Sequence, residues 1–170
     1  MKERNPDLAP GPDGQLNAAD QHWLREAIGL SQQCLPSASA YCVGAVLVGR
    51  DGSVLATGFS RERAPHDHAE EVALSRVDPA DPRLASATLY SSLEPCRFRA
   101  SRPVPCAELI ITAGLRRVVI GWLEPPVLAP GGGAELLRAA GVQVLEIPEL
   151  AAEARAVNAT VLGGSAGRED

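Results

Sequence analysis

The chain has 170 residues, of which 45% are hydrophobic and 22% charged, a balance that fits one compact domain and excludes a second independent one. No apolar run approaches the roughly 18 residues of a membrane span, and the opening MKERNPDLAPGPDG has no apolar segment behind its basic start, so neither membrane insertion nor a secretory signal is expected. A net charge of −5 and a pI near 5.2 argue against a nucleic-acid-tracking surface and favour a small-molecule substrate in the cytoplasm, where the four cysteines would stay reduced.

Residues 1–16 are rich in Pro, Gly and Asp and are expected to be flexible, as is the small polar tail at 163–170, leaving 17–162 as the folded domain. Asn17 or Asp20 can cap a helix through WLREAIGLSQQC, where Trp23, Leu24, Ala27, Ile28, Leu30 and Cys34 fall near helical spacing. The apolar run at 41–49, the turn residues Asp51-Gly52 and the extended pattern at 54–60 predict a hairpin. Helical character follows at 68–77, a strand at 87–92, and a helix at 106–114 closed by Gly114. A buried strand at 116–122, a helix at 133–141, a strand at 142–147 and a closing helix at 148–162 complete the order. Strand alternating with helix implies parallel pairing joined to the antiparallel hairpin, hence an α/β fold: a three-layer α/β/α sandwich with a mixed five-stranded sheet. The glycines at 131–133 lack the strand and spacing of a dinucleotide fingerprint and read as a flexible loop.

His68-Ala69-Glu70 opens one predicted helix, and Cys96 and Cys106 flank the loop that leads into the next. At a helix N-terminus the dipole favours thiolate, the form that binds zinc. One imidazole and two thiolates leave a fourth position for water, as catalytic rather than structural zinc requires. Glu70, two residues past His68, can face that water without being a ligand and shuttle protons. Competing readings exist for each residue. HAE alone is common helix-start material; Cys34 and Cys42 sit in apolar patterns and read as buried small hydrophobes. Cys96 and Cys106 each follow a proline outside any apolar stripe, so burial alone explains them poorly. His22 beside Trp23 reads as surface or packing, whereas His66 competes with His68 as ligand or substrate contact.

In that order, HAEEVAL, ATLYSSLEPC and PVPCAELIITAGLRRVVIG closely resemble the cytidine-deaminase-like superfamily, and within it the deaminase module of bifunctional riboflavin biosynthesis proteins, over about residues 18–158. The superfamily signature is HxE followed by PCxxC. Here nine residues separate Cys96 from Cys106 instead of two, which is similar to the riboflavin-type branch and speaks against nucleic-acid deaminases. The resemblance implies the cytidine-deaminase-like fold, Zn2+ on His68, Cys96 and Cys106, and hydrolytic deamination with Glu70 acting as base and then acid. It implies a homodimer or homotetramer, acting on a small aminopyrimidine and not on nucleic acid or at a membrane.

Where the family grips substrate, this chain departs from the pattern. The family's PNPxVG appears as Ser39-Ala40-Tyr41-Cys42-Val43-Gly44, so Ala40 replaces the substrate-contacting Asn, and Arg61 falls at a pocket His. Glu124-Pro125-Pro126-Val127 stands at the family's DPNP, keeping an acid and losing the amide. Arg102 matches the basic residue before the second cysteine, with Arg97 and Arg99 adding charge; these can bind a phosphate or carboxylate, or simply be solvated. Ala69, between His68 and Glu70, is a further expected substrate contact. The leading candidate substrate is the riboflavin-pathway diaminopyrimidine ribotide or a related pyrimidine of specialised metabolism. VGAV after Tyr41 is similar to nucleoside cytidine deaminases, which keeps a cytidine or deoxycytidylate deaminase as the alternative. A catalytically inactive binding subunit is the reading of another class, against which the intact His68, Glu70, Cys96 and Cys106 weigh.

Overall fold

The computed structural model describes residues 4–163, so residues 1–3 and all but the first residue of the expected tail at 163–170 lie outside the described residues. Helix α1 (Ala18–Ser31) starts in a capping box. Asn17 Oδ1 accepts from the Asp20 N–H at 3.0 Å, and Asp20 Oδ2 accepts from the Asn17 N–H at 2.8 Å, so both candidate caps take part. Strands β1 (Gly44–Val48) and β2 (Val54–Phe59) form the hairpin, turning at Gly52 with φ +77°. Then come α2 (Ala69–Ser75), β3 (Thr88–Ser91), α3 (Cys106–Thr112), β4 (Arg117–Ile120), α4 (Gly133–Ala139), β5 (Gln143–Glu146), α5 (Ala151–Val157) and α6 (Ala159–Gly163).

The sheet order is β2-β1-β3-β4-β5; β1 runs antiparallel to both neighbours, while β3, β4 and β5 are parallel. β1, β3 and β4 are buried along their whole length, as the continuous apolar runs require of strands covered on both faces. α2, α3 and α4 pack in series on one face, and α1 and α5 pack together on the other. Neighbouring residues of β3 show the two faces: Tyr90 reaches Asp20 of α1, and Ser91 reaches Glu70 of α2. The expected three-layer mixed sandwich is the observed one. No helix among the described residues is long and apolar enough to cross a membrane.

Four local expectations are corrected. Residues 4–16 are not loose: Trp23 Nε1 donates to the Leu8 carbonyl at 2.7 Å, the Gly11 N–H to Asp20 at 3.2 Å, and Arg117 Nη2 to the Gln15 carbonyl at 2.7 Å. The apolar run at 41–49 pairs as a strand only from Gly44, because the Cys42 backbone is taken by the Asn158 amide, at 2.7 Å to its N–H and 3.0 Å to its carbonyl. For the same reason the closing helix at 148–162 is interrupted at Asn158, which leaves helical geometry (φ −101°, ψ 19°) with its side chain buried. Cys34 and Cys42 are buried as expected but joined in a disulfide, since the intervening loop doubles back to bring their Cα atoms to 5.6 Å.

Candidate active site

The sheet delivers its chemistry beyond the C-terminal end of β3. His68 is the residue before α2, and its backbone N–H is held by Glu71 Oε2 at 3.3 Å. Cys96 lies in the loop that leaves β3, and Cys106 is the first residue of α3, so only one of the two thiols stands at a helix start. These three side chains converge: their ligand atoms all lie within 4.8 Å of one another, and His68 Nδ1 is 3.5 Å from both sulfurs. A tetrahedral zinc ion with ordinary bond lengths sets an imidazole nitrogen and a thiolate sulfur about 3.5 Å apart. The donor set and its spacing therefore fit zinc.

Electrostatics at this cluster support a cation. The Cys96 thiol is pushed well below its ordinary range, because Cys106 donates to it despite burial and His68 lies alongside. The same hydrogen bond, followed by burial, pushes Cys106 up. Burial opposes charge on His68 most strongly of any one cause, but the hydrogen bond to Cys96 and the charges of Cys96 and Glu70 together outweigh it and raise the imidazole. Without metal the two sulfurs hold one negative charge between them; a dication at their meeting point stabilises both thiolates.

Glu70 is 3% exposed, and Ser91 Oγ lies 2.9 Å from its Oε1. Burial, reinforced by the Cys96 charge, raises its carboxyl above the ordinary range. A cavity of about 310 Å³ opens beside it. The cavity is lined by Glu70, His68 and Cys96, by three more carboxyl residues, Asp67, Glu94 and Glu124, and by Arg61 and His66. Burial first, then the charges of Cys96, Glu94 and Glu70, push Glu124 up to about 8.

Of the substrate contacts expected from sequence, Arg61 and Glu124 line this cavity, and Arg99 does too. Arg61 has φ 58°, the one positive value outside glycine among the described residues, and its guanidinium reaches the Leu35 carbonyl at 2.6 Å and the Tyr41 carbonyl at 3.2 Å. Arg102, Arg97 and Ala69 do not line it. Two carboxylates draw Arg102 away, Asp67 at 3.2 Å and Glu71 at 3.1 Å, while Arg97 lies over the Phe98 ring at 5.5 Å. Ala69 is fully buried against Gly58 of β2. His66 lies on the cavity wall and is outside the three-residue cluster.

Sequence reasoning missed Glu94 and Tyr41. Glu94 had a signal, a carboxylate wedged between Leu93 and the Pro95-Cys96 turn. It is buried, and its Oε1 accepts from the Gly132 N–H at 3.0 Å. The glycines at 131–133 are therefore an anchored loop, in which Gly132 takes φ +110° and a Cβ on Gly133 would collide with the Pro95 carbonyl.

Residues 17–122, more than half of the chain, match the cytidine and deoxycytidylate deaminase zinc-binding region. The chain belongs to this family. Among curated members it is 40% identical over 129 residues to the Schizosaccharomyces pombe diaminohydroxyphosphoribosylamino-pyrimidine deaminase, covering 74% of this chain and 31% of that protein. It is 40% identical over 116 residues to the Aquifex aeolicus riboflavin biosynthesis protein RibD, covering 68% of this chain and 31% of that one. The chain thus spans about a third of the length of these relatives. Acinetobacter baumannii RibD superimposes with a TM-score of 0.74 at 32% identity, over 87% of this chain and 40% of that one. Aspergillus oryzae Rib2 deaminase gives 0.67 at 26% identity, over 86% and 92%. Zinc is the metal of this deaminase family, and His68, Cys96 and Cys106 are the residues here that fit it.

Proposed function

We propose that the protein is a zinc-dependent hydrolytic deaminase of an aminopyrimidine, with the diaminopyrimidine ribotide of riboflavin synthesis as its substrate. The observation that carries this reading is the placement of Glu70: a buried carboxyl whose protonation is favoured, beside a His/Cys/Cys cluster, at the wall of a cavity of about 310 Å³. Zinc, when bound, lowers the pKa of water toward about 7 and so supplies a nucleophile at neutral pH. Glu70 would accept the proton released from that water and pass it to the ring nitrogen, then take the remaining proton of the hydroxyl now on the ring carbon and deliver it to the departing amine. Water is consumed, the ring carbon exchanges its amine for oxygen, and ammonia leaves. Ser91 fixes one Glu70 oxygen and leaves the other to move protons.

The ribotide is supported by the names of the fission yeast relative and of the Aspergillus oryzae Rib2 deaminase solved in complex with DARIPP. The cavity of about 310 Å³ supports a small aminopyrimidine over a nucleic-acid strand, and a cytoplasmic enzyme belongs to the same reading. A homodimer or homotetramer belongs to the same reading. Ammonia release by the zinc-loaded protein tests it across the ribotide, cytidine, its phosphates, cytosine and guanine, with the ribotide expected to be the preferred substrate. In Glu70→Gln, about one zinc per chain is retained while turnover falls by about 10²- to 10⁴-fold. Near-normal turnover in that variant removes Glu70 from the mechanism, and preference for cytidine moves the protein to the alternative class.

A further inference from the structure

Tyr41 projects from the loop that forms one wall of the cavity, and its backbone is pinned on both sides. Arg61 Nη1 donates to its carbonyl at 3.2 Å, and the next residue, Cys42, is held by the disulfide and by the Asn158 amide. The ring packs edge-on against Trp122 with centroids 6.2 Å apart. Its hydroxyl is buried yet has no hydrogen-bond partner among the described residues, although Tyr41 lines the cavity. A buried phenol ordinarily finds a partner. The only other tyrosine does: Tyr90 donates to Asp20 at 2.6 Å. Tyr41 thus brings an unused phenolic donor to the wall of the cavity.

The surrounding groups define what that atom is. The cavity presents carboxyls of Glu70, Glu94 and Glu124, which accept the N–H groups of an aminopyrimidine, while its fourth carboxyl, Asp67, is paired with Arg63 and Arg102. Its cations are committed elsewhere: Arg61 to the Leu35 and Tyr41 carbonyls, Arg99 to Glu71 and the His66 carbonyl. Burial and the nearby Glu124 charge favour the protonated phenol, so Tyr41 remains a neutral donor. An aminopyrimidinone carries two good acceptors, the ring nitrogen that Glu70 protonates and the ring oxygen, so the oxygen is the acceptor left for a second neutral donor. We infer that the Tyr41 hydroxyl donates to the ring carbonyl of the substrate and selects oxo-substituted aminopyrimidines over those without the oxygen. At the same register the family pattern carries proline, and the preceding Ala40 has no amide, so the phenol supplies a polar contact by a different route. This inference rests on the deaminase reading and holds for either the ribotide or a cytosine-type substrate.

The test uses the zinc-loaded protein and two ligands, the diaminohydroxypyrimidine ribotide and its analogue lacking the ring oxygen. In Tyr41→Phe, with zinc content and melting temperature unchanged, kcat/KM for the ribotide is expected to fall about 10-fold, mainly through KM. Competitive inhibition by the oxygen-free analogue is expected to stay within about twofold of wild type, because the lost donor has no partner there. Independently of that variant, tyrosine difference absorbance of Glu70→Gln should respond to the ribotide, since Tyr90 is sealed against Asp20 on the other face of the sheet. Unchanged kcat/KM, an equal loss for both ligands, or a silent tyrosine spectrum on saturation overturns the inference. A wild-type protein that binds the ribotide with the spectral change but releases no ammonia overturns the deaminase reading and leaves the contact standing.

Discussion

Two buried carboxylates lie on opposite sides of one strand, and burial works against the charge of both, yet they end in opposite states. On the α1 face Asp20 is fully buried; desolvation works against its charge, but Arg117, Tyr90 and the Asn17 backbone together hold its carboxyl below the ordinary range. Arg117 Nη1 approaches it at 2.8 Å and the Tyr90 hydroxyl at 2.6 Å. On the α2 face Glu70 has Ser91 as its side-chain partner, faces the Cys96 charge, and is raised. The first arrangement is a network in which the Asp20 charge is fully partnered, with Arg117 Nε alone left over, and it fixes α1, the strands and the N-terminal segment to one another. The second is left short of partners at a cavity, which is how a fold keeps a proton carrier available at neutral pH.

Removing each carboxylate tests this contrast most severely. Asp20→Ala leaves Arg117 buried and uncompensated and is expected to cost about 3–5 kcal/mol, whereas Glu70→Gln should stay within about 1 kcal/mol of wild type, because it removes a group that burial already disfavours. Urea unfolding of both variants decides it; equal losses would dissolve the distinction. The pH dependence has a definite sign. A carboxyl depressed in the folded state contributes above its unfolded value, 3.8 for Asp20, and loses that contribution as pH falls through the lower folded value. Wild type should therefore show an acid limb below about pH 4 that is shallower in Asp20→Asn, the remainder coming from other depressed carboxyls such as Asp67.

The satisfied side of the molecule was less legible in sequence than the reactive side. His68, Glu70, Cys96 and Cys106 are distinctive types at distinctive intervals, and their chemistry demands one ion between them, so spacing alone could bring them together. Asp20 reads from the chain only as a helix cap; that it also meets Arg117 and Tyr90 depends on which strand lies beneath α1. Layer order was readable from the alternation of strand and helix. Strand ends were not, because Cys42 and Asn158, far apart in sequence, settle where β1 begins and where the last helix breaks. The partners of Arg102 were hidden for a similar reason: its pairing with Asp67 and Glu71 depends on how the loop before α3 packs against the start of α2.

A smaller effect is expected from the disulfide that braces the cavity wall. The Cys34→Ser/Cys42→Ser double variant frees a short loop and should lose about 2–3 kcal/mol, less than Asp20→Ala. Because that loop carries Ser39, Ala40 and Tyr41 along the cavity, KM should rise while zinc content stays at one per chain. Thiol reduction of the wild type should reproduce both changes. If stability falls but KM does not move, the brace serves the fold alone and belongs with Asp20 on the structural side of the comparison.

The finest test sits at Glu124, where the two kinds of site differ by environment and not by residue type. Its carboxyl is raised to about 8 from an ordinary 4.5, so in the metal-free protein the neutral acid is the form the fold favours. That contribution is fully present below pH 4.5 and is lost as pH rises through about 8, the reverse of Asp20. The melting temperature of metal-free wild type should accordingly decline relative to Glu124→Gln across this window. Zinc reverses the argument locally, because two positive charges beside Cys96, Glu94 and Glu70 relieve the repulsion that raises Glu124. Loading the metal should therefore bring the two pH profiles together. Profiles that coincide without zinc would show that solvent already screens Glu124 and that the starved side of the molecule ends at Glu70.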